Sequence, residues 1–144
     1  MKKAILLSII LAGTTINILM AQSLNEKDIP DAVKILFAKS FPNSTHVSWK
    51  KHKKNFQTFF ADNETKIIAL FDKTGVLLET KMWIHSDSLP ENVITNFNQK
   101  YKHAVIIETY KIIKENGEIF FMIHANECRI FFDAKGNFIK KERD

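Results

Sequence analysis

The spacing of apolar residues predicts one helix early in the chain and a second helix sixty positions later. Val33, Phe37 and Phe41 recur at intervals of four residues, the spacing that one face of an amphipathic helix requires. The same stripe returns sixty positions further along, as Val93, Phe97 and Tyr101. The repetition indicates that the chain contains two copies of one structural unit.

Each predicted helix starts at a similar four-residue segment. The first segment is Asp28-Ile29-Pro30-Asp31 and the second is Ser88-Leu89-Pro90-Glu91. In both, a side chain that can accept hydrogen bonds precedes a proline, which suits the first turn of a helix. We therefore expect Asp28 to cap the first helix, and Ser88 to form a capping box with Glu91 at the second.

After each helix the apolar pattern changes to the two-residue alternation of β-strands. Four strands are predicted after each helix. The predicted strands cover residues 46–50, 56–61, 66–71, 76–84, 105–114, 118–124, 129–132 and 137–141.

Four predicted turns connect neighbouring strands, one of which is the polar segment Asp62-Asn63-Glu64. Asp72 and Gly75 bound one turn, and Asp133 and Gly136 bound another that begins 61 positions later. The aspartate can accept backbone hydrogen bonds and the glycine can adopt the positive φ that returns the chain to the sheet. The remaining turn spans residues 114–117, where Asn116-Gly117 predicts two left-handed residues.

These patterns predict an α+β fold made of two tandem units. Each unit has one helix followed by about four antiparallel strands, and both helices pack on one face of the sheet. The units cover about residues 27–84 and 87–142.

Several predicted strands are apolar on both faces, which a sheet covered by helices on one side does not need. The segments in question are residues 67–71, 119–123 and 130–132. Either the second face is also covered, or it presents an apolar patch to a partner.

The N-terminal residues have the layout of a secretory signal peptide. Lys2-Lys3 is followed by a mainly apolar stretch over residues 4–20 and by the small residue Ala21. We expect cleavage after residue 21, no stable membrane anchor afterwards, and a periplasmic or secreted protein. With 45% hydrophobic and 26% charged residues in 144, residues 22–144 are predicted to form a single domain.

Loss of Lys2-Lys3 leaves 19 basic side chains against 16 acidic ones, so the predicted mature chain has a charge near +3. This small positive net charge and the lack of a nucleic-acid recognition motif argue against nucleic acid as a partner. The only cysteine, Cys128, is expected to be a small buried apolar residue; a reactive thiol or an intermolecular disulfide is the alternative.

The candidate binding residues are two tryptophans and a run of lysines. The tryptophans are either exposed interface anchors or partly buried core residues. The lysines form either a patch for an acidic partner or a solvated hairpin loop. The candidates are Trp49, Lys50, Lys51, Lys53, Lys54 and Trp83.

No sequence pattern indicates catalysis, a cofactor or a metal. The five histidines form no metal-binding helix motif, and nucleophile, P-loop and dinucleotide motifs are missing. We therefore predict a protein that is not an enzyme. An alternative is a protein that binds a small molecule or a metal in a pocket between helices and sheet, lined by residues such as Phe37, Phe97 and Phe120.

Six short segments together resemble the PepSY-like, beta-lactamase-inhibitor-like family of small secreted bacterial proteins. Their order covers nearly the whole mature chain. The segments are Ile29-Pro30-x-x-Val33, Phe41-Pro42-Asn43-Ser44, Val47-x-Trp49-Lys50, Phe56-x-x-x-Phe60, Ala69-x-Phe71-Asp72-x-x-Gly75 and Leu89-Pro90-x-x-Val93.

The resemblance implies helices packed on one face of an antiparallel sheet built from tandem units. It also implies an inhibitor-like binding protein, although the disulfides of the true inhibitors have no counterpart in a chain with one cysteine. The predicted function is a secreted, non-enzymatic binding module. It would recognise an unknown protein or cell-envelope component through a sheet face or the basic hairpin.

Overall fold

Two helices and one eight-stranded antiparallel sheet make up the fold. A computed structural model describes residues 23–144; the predicted signal peptide, residues 1–21, lies outside the described residues and stays a prediction. The helices are α1 (Asp31–Ser40) and α2 (Glu91–Lys100). The strands are β1 (Ser44–His52), β2 (Asn55–Asp62), β3 (Thr65–Phe71), β4 (Leu77–Ile84), β5 (Ile106–Lys114), β6 (Ile119–Ala125), β7 (Cys128–Asp133) and β8 (Phe138–Arg143).

The chain folds as two tandem units that share the sheet, which confirms the predicted fold class. Each helix is followed by four strands, and the spatial order of the strands is their order along the chain. The units join where β4 pairs with β5, from Glu79 opposite Lys114 to Ile84 opposite Thr109. Within each unit, consecutive strands are joined by turns of two to five residues, whereas the connection from β4 to β5 contains α2.

Both helices pack on the same face of the sheet and bury the predicted apolar stripes. Val33 and Phe37 of α1 are buried in one hydrophobic cluster, and Val93 and Phe97 of α2 occupy the same positions in a second cluster. The strand residues of the two clusters come from alternate positions, which point to one side of the sheet. Cys128 belongs to the second cluster, as expected for a small buried apolar residue.

The prediction that Asp28 and Ser88 cap the helices is wrong. Both residues lie in short 3₁₀ turns, Glu26–Asp28 and Ser86–Ser88, and neither accepts a hydrogen bond from the first turn of its helix. Pro30 and Pro90 occupy the cap positions instead, with φ near −57° and ψ of 141°. The extended conformation of proline separates the 3₁₀ turn from the helix, so the expected caps are too far from the first helical N–H groups.

The two Asp-x-x-Gly turns are strand-to-strand reversals with the same hydrogen bonds. Asp72 Oδ1 accepts the backbone N–H of Thr74 at 2.8 Å and that of Val76 at 3.0 Å. Asp133 Oδ1 accepts the N–H groups two and four residues further on, both at 2.9 Å. Gly75 and Gly136 have φ of +95° and +84°, as predicted.

The predicted turn at residues 114–117 forms, with one difference. Gly117 adopts φ of +82° and donates its N–H to the carbonyl of Lys114, but Asn116 does not have a positive φ. The Lys114 N–H donates to the carbonyl of Glu118, which closes a three-residue loop. A loop of this length needs one left-handed residue, whereas the predicted two-residue loop needs two.

No helix within residues 23–144 is long and apolar enough to span a membrane.

Candidate functional site

The candidate site is the sheet face opposite the two helices, which we call the open face. Strand residues alternate between the faces, so the pairing register assigns each side chain to the helix side or to the open face. Within residues 23–144 no helix packs on this side. The open-face residues include Lys50, Phe59, Ala61, Lys66, Ile68, Leu70, Glu79, Lys81, Trp83, Glu108, Tyr110, Ile112, Lys114, Phe120, Met122, His124, Arg129, Phe131, Lys140 and Glu142.

A third hydrophobic cluster, which we call the apolar centre, lies in the middle of this face. Its members are Tyr110, Ile112 and Met122, with Phe120 and Phe131 packed against them. Tyr110 lies opposite Met122, and Met122 lies opposite Phe131, so the cluster crosses three adjacent strands. Ile112 is only 2% exposed because its neighbours on the same face cover it. The sheet therefore has an apolar interior on both sides.

A shallow hollow of about 290 Å³ adjoins the apolar centre on the side of the first unit. Phe59, Ala61, Ile68 and Tyr110 contribute apolar surface to it, and Lys66 brings a positive charge to its wall. The hollow is mostly apolar with one cation at its rim, the composition of a binding pocket on a small scale.

Tyr110 supplies a hydroxyl group beside the apolar centre. Its Oη donates a hydrogen bond to Glu108 Oε2 at 3.2 Å. Burial, followed by the nearby charge of Glu108, raises the pKa of Tyr110 to about 12. The phenol therefore stays protonated at every physiological pH and can act as a hydrogen-bond donor, but not as a base.

Charged side chains surround the apolar centre, and three basic ones of the second unit lie beside acidic groups of the same unit. Arg129 Nε lies 3.3 Å from Asp144 Oδ1, and Lys140 Nζ lies 2.5 Å from Glu142 Oε1. The hydrogen bond from Lys140 holds the pKa of Glu142 below its usual range. His124 Nε2 also lies 2.6 Å from Asp144.

The two candidate tryptophans lie on opposite sides of the sheet. Trp49 is 8% exposed and packs edge-on against Phe37, with 5.2 Å between ring centroids. It is a residue of the helix-side core, so its assignment as an exposed binding anchor is corrected. Trp83 is 37% exposed and lies on the open face beside Tyr110. The sequence pattern could not separate the two because their faces depend on strand register.

The structure distributes the candidate lysines over three places. Lys50 lies on the open face with its Nζ 5.1 Å from the ring centroid of Phe59. Lys51 lies over the ring of Phe56, which belongs to the helix-side core. Lys53 and Lys54 are exposed in the turn between β1 and β2. Of this run, only Lys50 contributes to the open face.

The sequence patterns did not identify several residues of this face as candidate site residues. Lys66, Ile112 and Met122 have no individual signature, because a lysine or an apolar residue in a strand is common. The strands with apolar residues on both faces were the available signal. They indicated more apolar surface than the helices need, but not which face of the sheet carries it.

The pocket lined by Phe37, Phe97 and Phe120 does not exist as predicted. Phe37 and Phe97 belong to the two separate helix-side clusters, and Phe120 lies on the opposite face of the sheet. Among residues 23–144, no group of three or more His, Cys, Asp or Glu side chains is arranged to hold a metal ion.

Comparison with known proteins identifies the fold. No protein-family model matches the chain, and no curated protein sequence matches it. Solved structures do match: a protein from Bacteroides eggerthii DSM 20697, provisionally described as periplasmic, superposes with a TM-score of 0.75 at 17% identity. The match covers 80% of this chain and 88% of that one.

Two further structures agree. A BLIP-like protein from Bacteroides fragilis NCTC 9343 has a TM-score of 0.68 at 18% identity, over 80% of this chain and 86% of that one. A DUF2874 family protein from Bacteroides ovatus ATCC 8483 has a TM-score of 0.72 at 20% identity, over 80% and 87% of the two chains. The fold is therefore beta-lactamase-inhibitor-like. A PepSY-like family assignment stays a prediction.

Proposed function

We propose that this chain is a periplasmic or secreted, non-enzymatic binding protein that recognises a protein or cell-envelope component through its open face. The observation that carries the proposal is the apolar centre on the face that no described helix covers. A sheet of this design needs one apolar face to pack its helices, and the two helix-side clusters already supply it.

The open face has the composition of a protein interface. Such interfaces have an apolar, often aromatic, core surrounded by a polar rim. Here Tyr110, Phe120 and Phe131 contribute to the core, and Lys66 and Arg129 belong to the rim. Tyr110 is already buried, so the apolar surface that a partner would remove from water, worth about 25 cal/mol per Å², belongs to the half-buried Phe120 and Phe131.

The predicted signal peptide and the neighbour from B. eggerthii that is provisionally described as periplasmic support the location. The B. fragilis neighbour, described as BLIP-like, supports a binding role rather than a reaction.

Affinity capture from envelope extract tests this function. The immobilised wild-type chain is compared with Phe59→Glu and Trp83→Glu, which place a charge on the open face at partly exposed positions. Ile35→Glu is the matched control, because Ile35 is 69% exposed on α1. Circular dichroism checks that all three variants fold.

We expect a protein or envelope component that the wild type and Ile35→Glu retain and the two open-face variants lose. Retention of the same component by all four chains, or of none by the wild type over a range of salt concentrations, would contradict the proposal.

A further inference from the structure

Positive charge is concentrated on the half of the open face that belongs to the first unit. Lys50, Lys66 and Lys81 lie there, against the single carboxylate of Glu79. Glu79 is shared, since Lys81 Nζ lies 3.4 Å from it and Lys114 Nζ also contacts it. The second unit differs, because apart from Lys114 its basic side chains on this face pair with Glu142 and Asp144.

Two of these lysines have no acidic partner in the part of the chain that the structure describes. Neither Lys50 nor Lys66 makes a salt bridge within residues 23–144. Lys66 lines the hollow, and Lys50 lies over Phe59, which also lines it. The apolar hollow is thus flanked by two lysines that form no salt bridge with any acidic side chain within residues 23–144.

From this arrangement, and resting on the function proposed above, we infer that the partner is a protein segment with acidic residues on either side of one large apolar side chain. The apolar side chain occupies the hollow beside Phe59, Ile68 and Tyr110. Its neighbouring carboxylates lie against Lys50 and Lys66. Complementary charge of this kind fixes the register of a complex and accelerates its formation.

The size of the hollow favours a single side chain over a whole small molecule. Pockets for drug-sized ligands measure about 300–1,000 Å³ and enclose most of the ligand. At about 290 Å³ and open to solvent, this recess lies just below that range. An anionic membrane surface would use the lysines but would leave the recess without a specific occupant.

Synthetic peptides test the inference with the intact mature chain. The first peptide has one phenylalanine flanked by two aspartates on each side. The second replaces the aspartates by lysines, and the third replaces the phenylalanine by alanine. Binding is followed by two-dimensional amide NMR, in which the two indole N–H signals serve as reporters. Trp83 lies on the open face, and buried Trp49 provides the internal control.

We expect the first peptide to shift the indole signal of Trp83 and the amide signals around Lys66, and to leave the indole signal of Trp49 in place. Its affinity should fall as salt is added, because salt screens the attraction between carboxylates and lysines. The other two peptides should bind less tightly. Lys50→Glu and Lys66→Glu together should weaken binding by about fivefold or more, whereas Lys39→Glu on α1 should not change it.

Four results would overturn the inference. They are equal binding of the basic peptide, no shift with the acidic one, capture by anionic lipid vesicles in preference to the acidic peptide, and a concentration-dependent dimer that covers the open face. If envelope capture still depends on Phe59 and Trp83 while the acidic peptide fails, the proposed function stands and only the chemistry of the partner is wrong.

Discussion

A Cβ placed on Gly75 would lie 2.7 Å from the backbone carbonyl oxygen of Ala32, at the start of α1. The second unit repeats this approach, since a Cβ on Gly136 would lie 2.8 Å from the backbone of Asn92. The Asn96 side-chain amide also donates a 2.7 Å hydrogen bond to the carbonyl of Gly136. Each Asp-x-x-Gly turn therefore packs against the helix of its own unit and fixes that helix on the sheet.

This contact predicts that Gly75→Ala and Gly136→Ala destabilise the fold more than Gly117→Ala does. All three glycines have a positive φ, which costs about 1–2 kcal/mol for an alanine. Only the first two substitutions also force a Cβ into the helix backbone, which adds about 1–3 kcal/mol. A Cβ on Gly117 meets no atom within 4 Å.

Urea unfolding of the three variants measures the difference. An equal decrease in unfolding free energy at all three positions would show that the positive φ alone accounts for the destabilisation. The contact between turn and helix would then contribute nothing.

Because of the two turn aspartates, we expect the free energy of unfolding to decrease in acid. The hydrogen bond from the Thr74 hydroxyl holds the pKa of Asp72 below its usual value, and the Asn137 side chain does the same for Asp133. A carboxyl group with a pKa that is lower in the folded state than in the unfolded one stabilises the fold above the unfolded value, about 3.9. That stabilisation is lost as the pH falls through the folded pKa.

Unfolding free energies at pH 7 and pH 3 test this linkage. The wild type should lose more stability between these values than the variant that combines Asp72→Asn with Asp133→Asn. An identical loss in both proteins would assign the acid sensitivity to other groups.

The opposite placement of the tryptophans predicts different access to a soluble quencher. Trp49→Phe leaves Trp83 as the emitting residue, and Trp83→Phe leaves Trp49. Acrylamide should quench the first variant several-fold more strongly, because Trp83 is 37% exposed and Trp49 is 8% exposed. Similar quenching of both variants would mean that the assignment of residues to the two faces is wrong.

Most of the fold could be predicted from the sequence because periodic burial determines it. The stripe from Val33 to Phe41 and its copy from Val93 to Tyr101 identify both helices, and the Asp-x-x-Gly turns identify two of the strand reversals. The helix starts were mispredicted because a proline in an extended conformation and a proline in a first helical turn follow the same local sequence.

The candidate site was less predictable, since it depends on which face of each strand the helices cover. Trp49 and Trp83 look alike in the sequence, and register alone places one in the core and the other on the open face. Strand pairing places Lys66 beside Tyr110 at the hollow, and no local pattern in the sequence indicates this position. Such contacts join residues from strands that are far apart along the chain.

The proposed function requires that the open face, and not the helix side, contacts the partner. Site-specific photo-crosslinking in the living cell tests it most directly, with a crosslinking amino acid placed at Trp83 or Phe59 on the open face, or at Ile35 on α1. We expect a discrete crosslinked product from the two open-face positions and none from Ile35. A product from Ile35 alone, or none from the open face in cells that contain the partner, would contradict it.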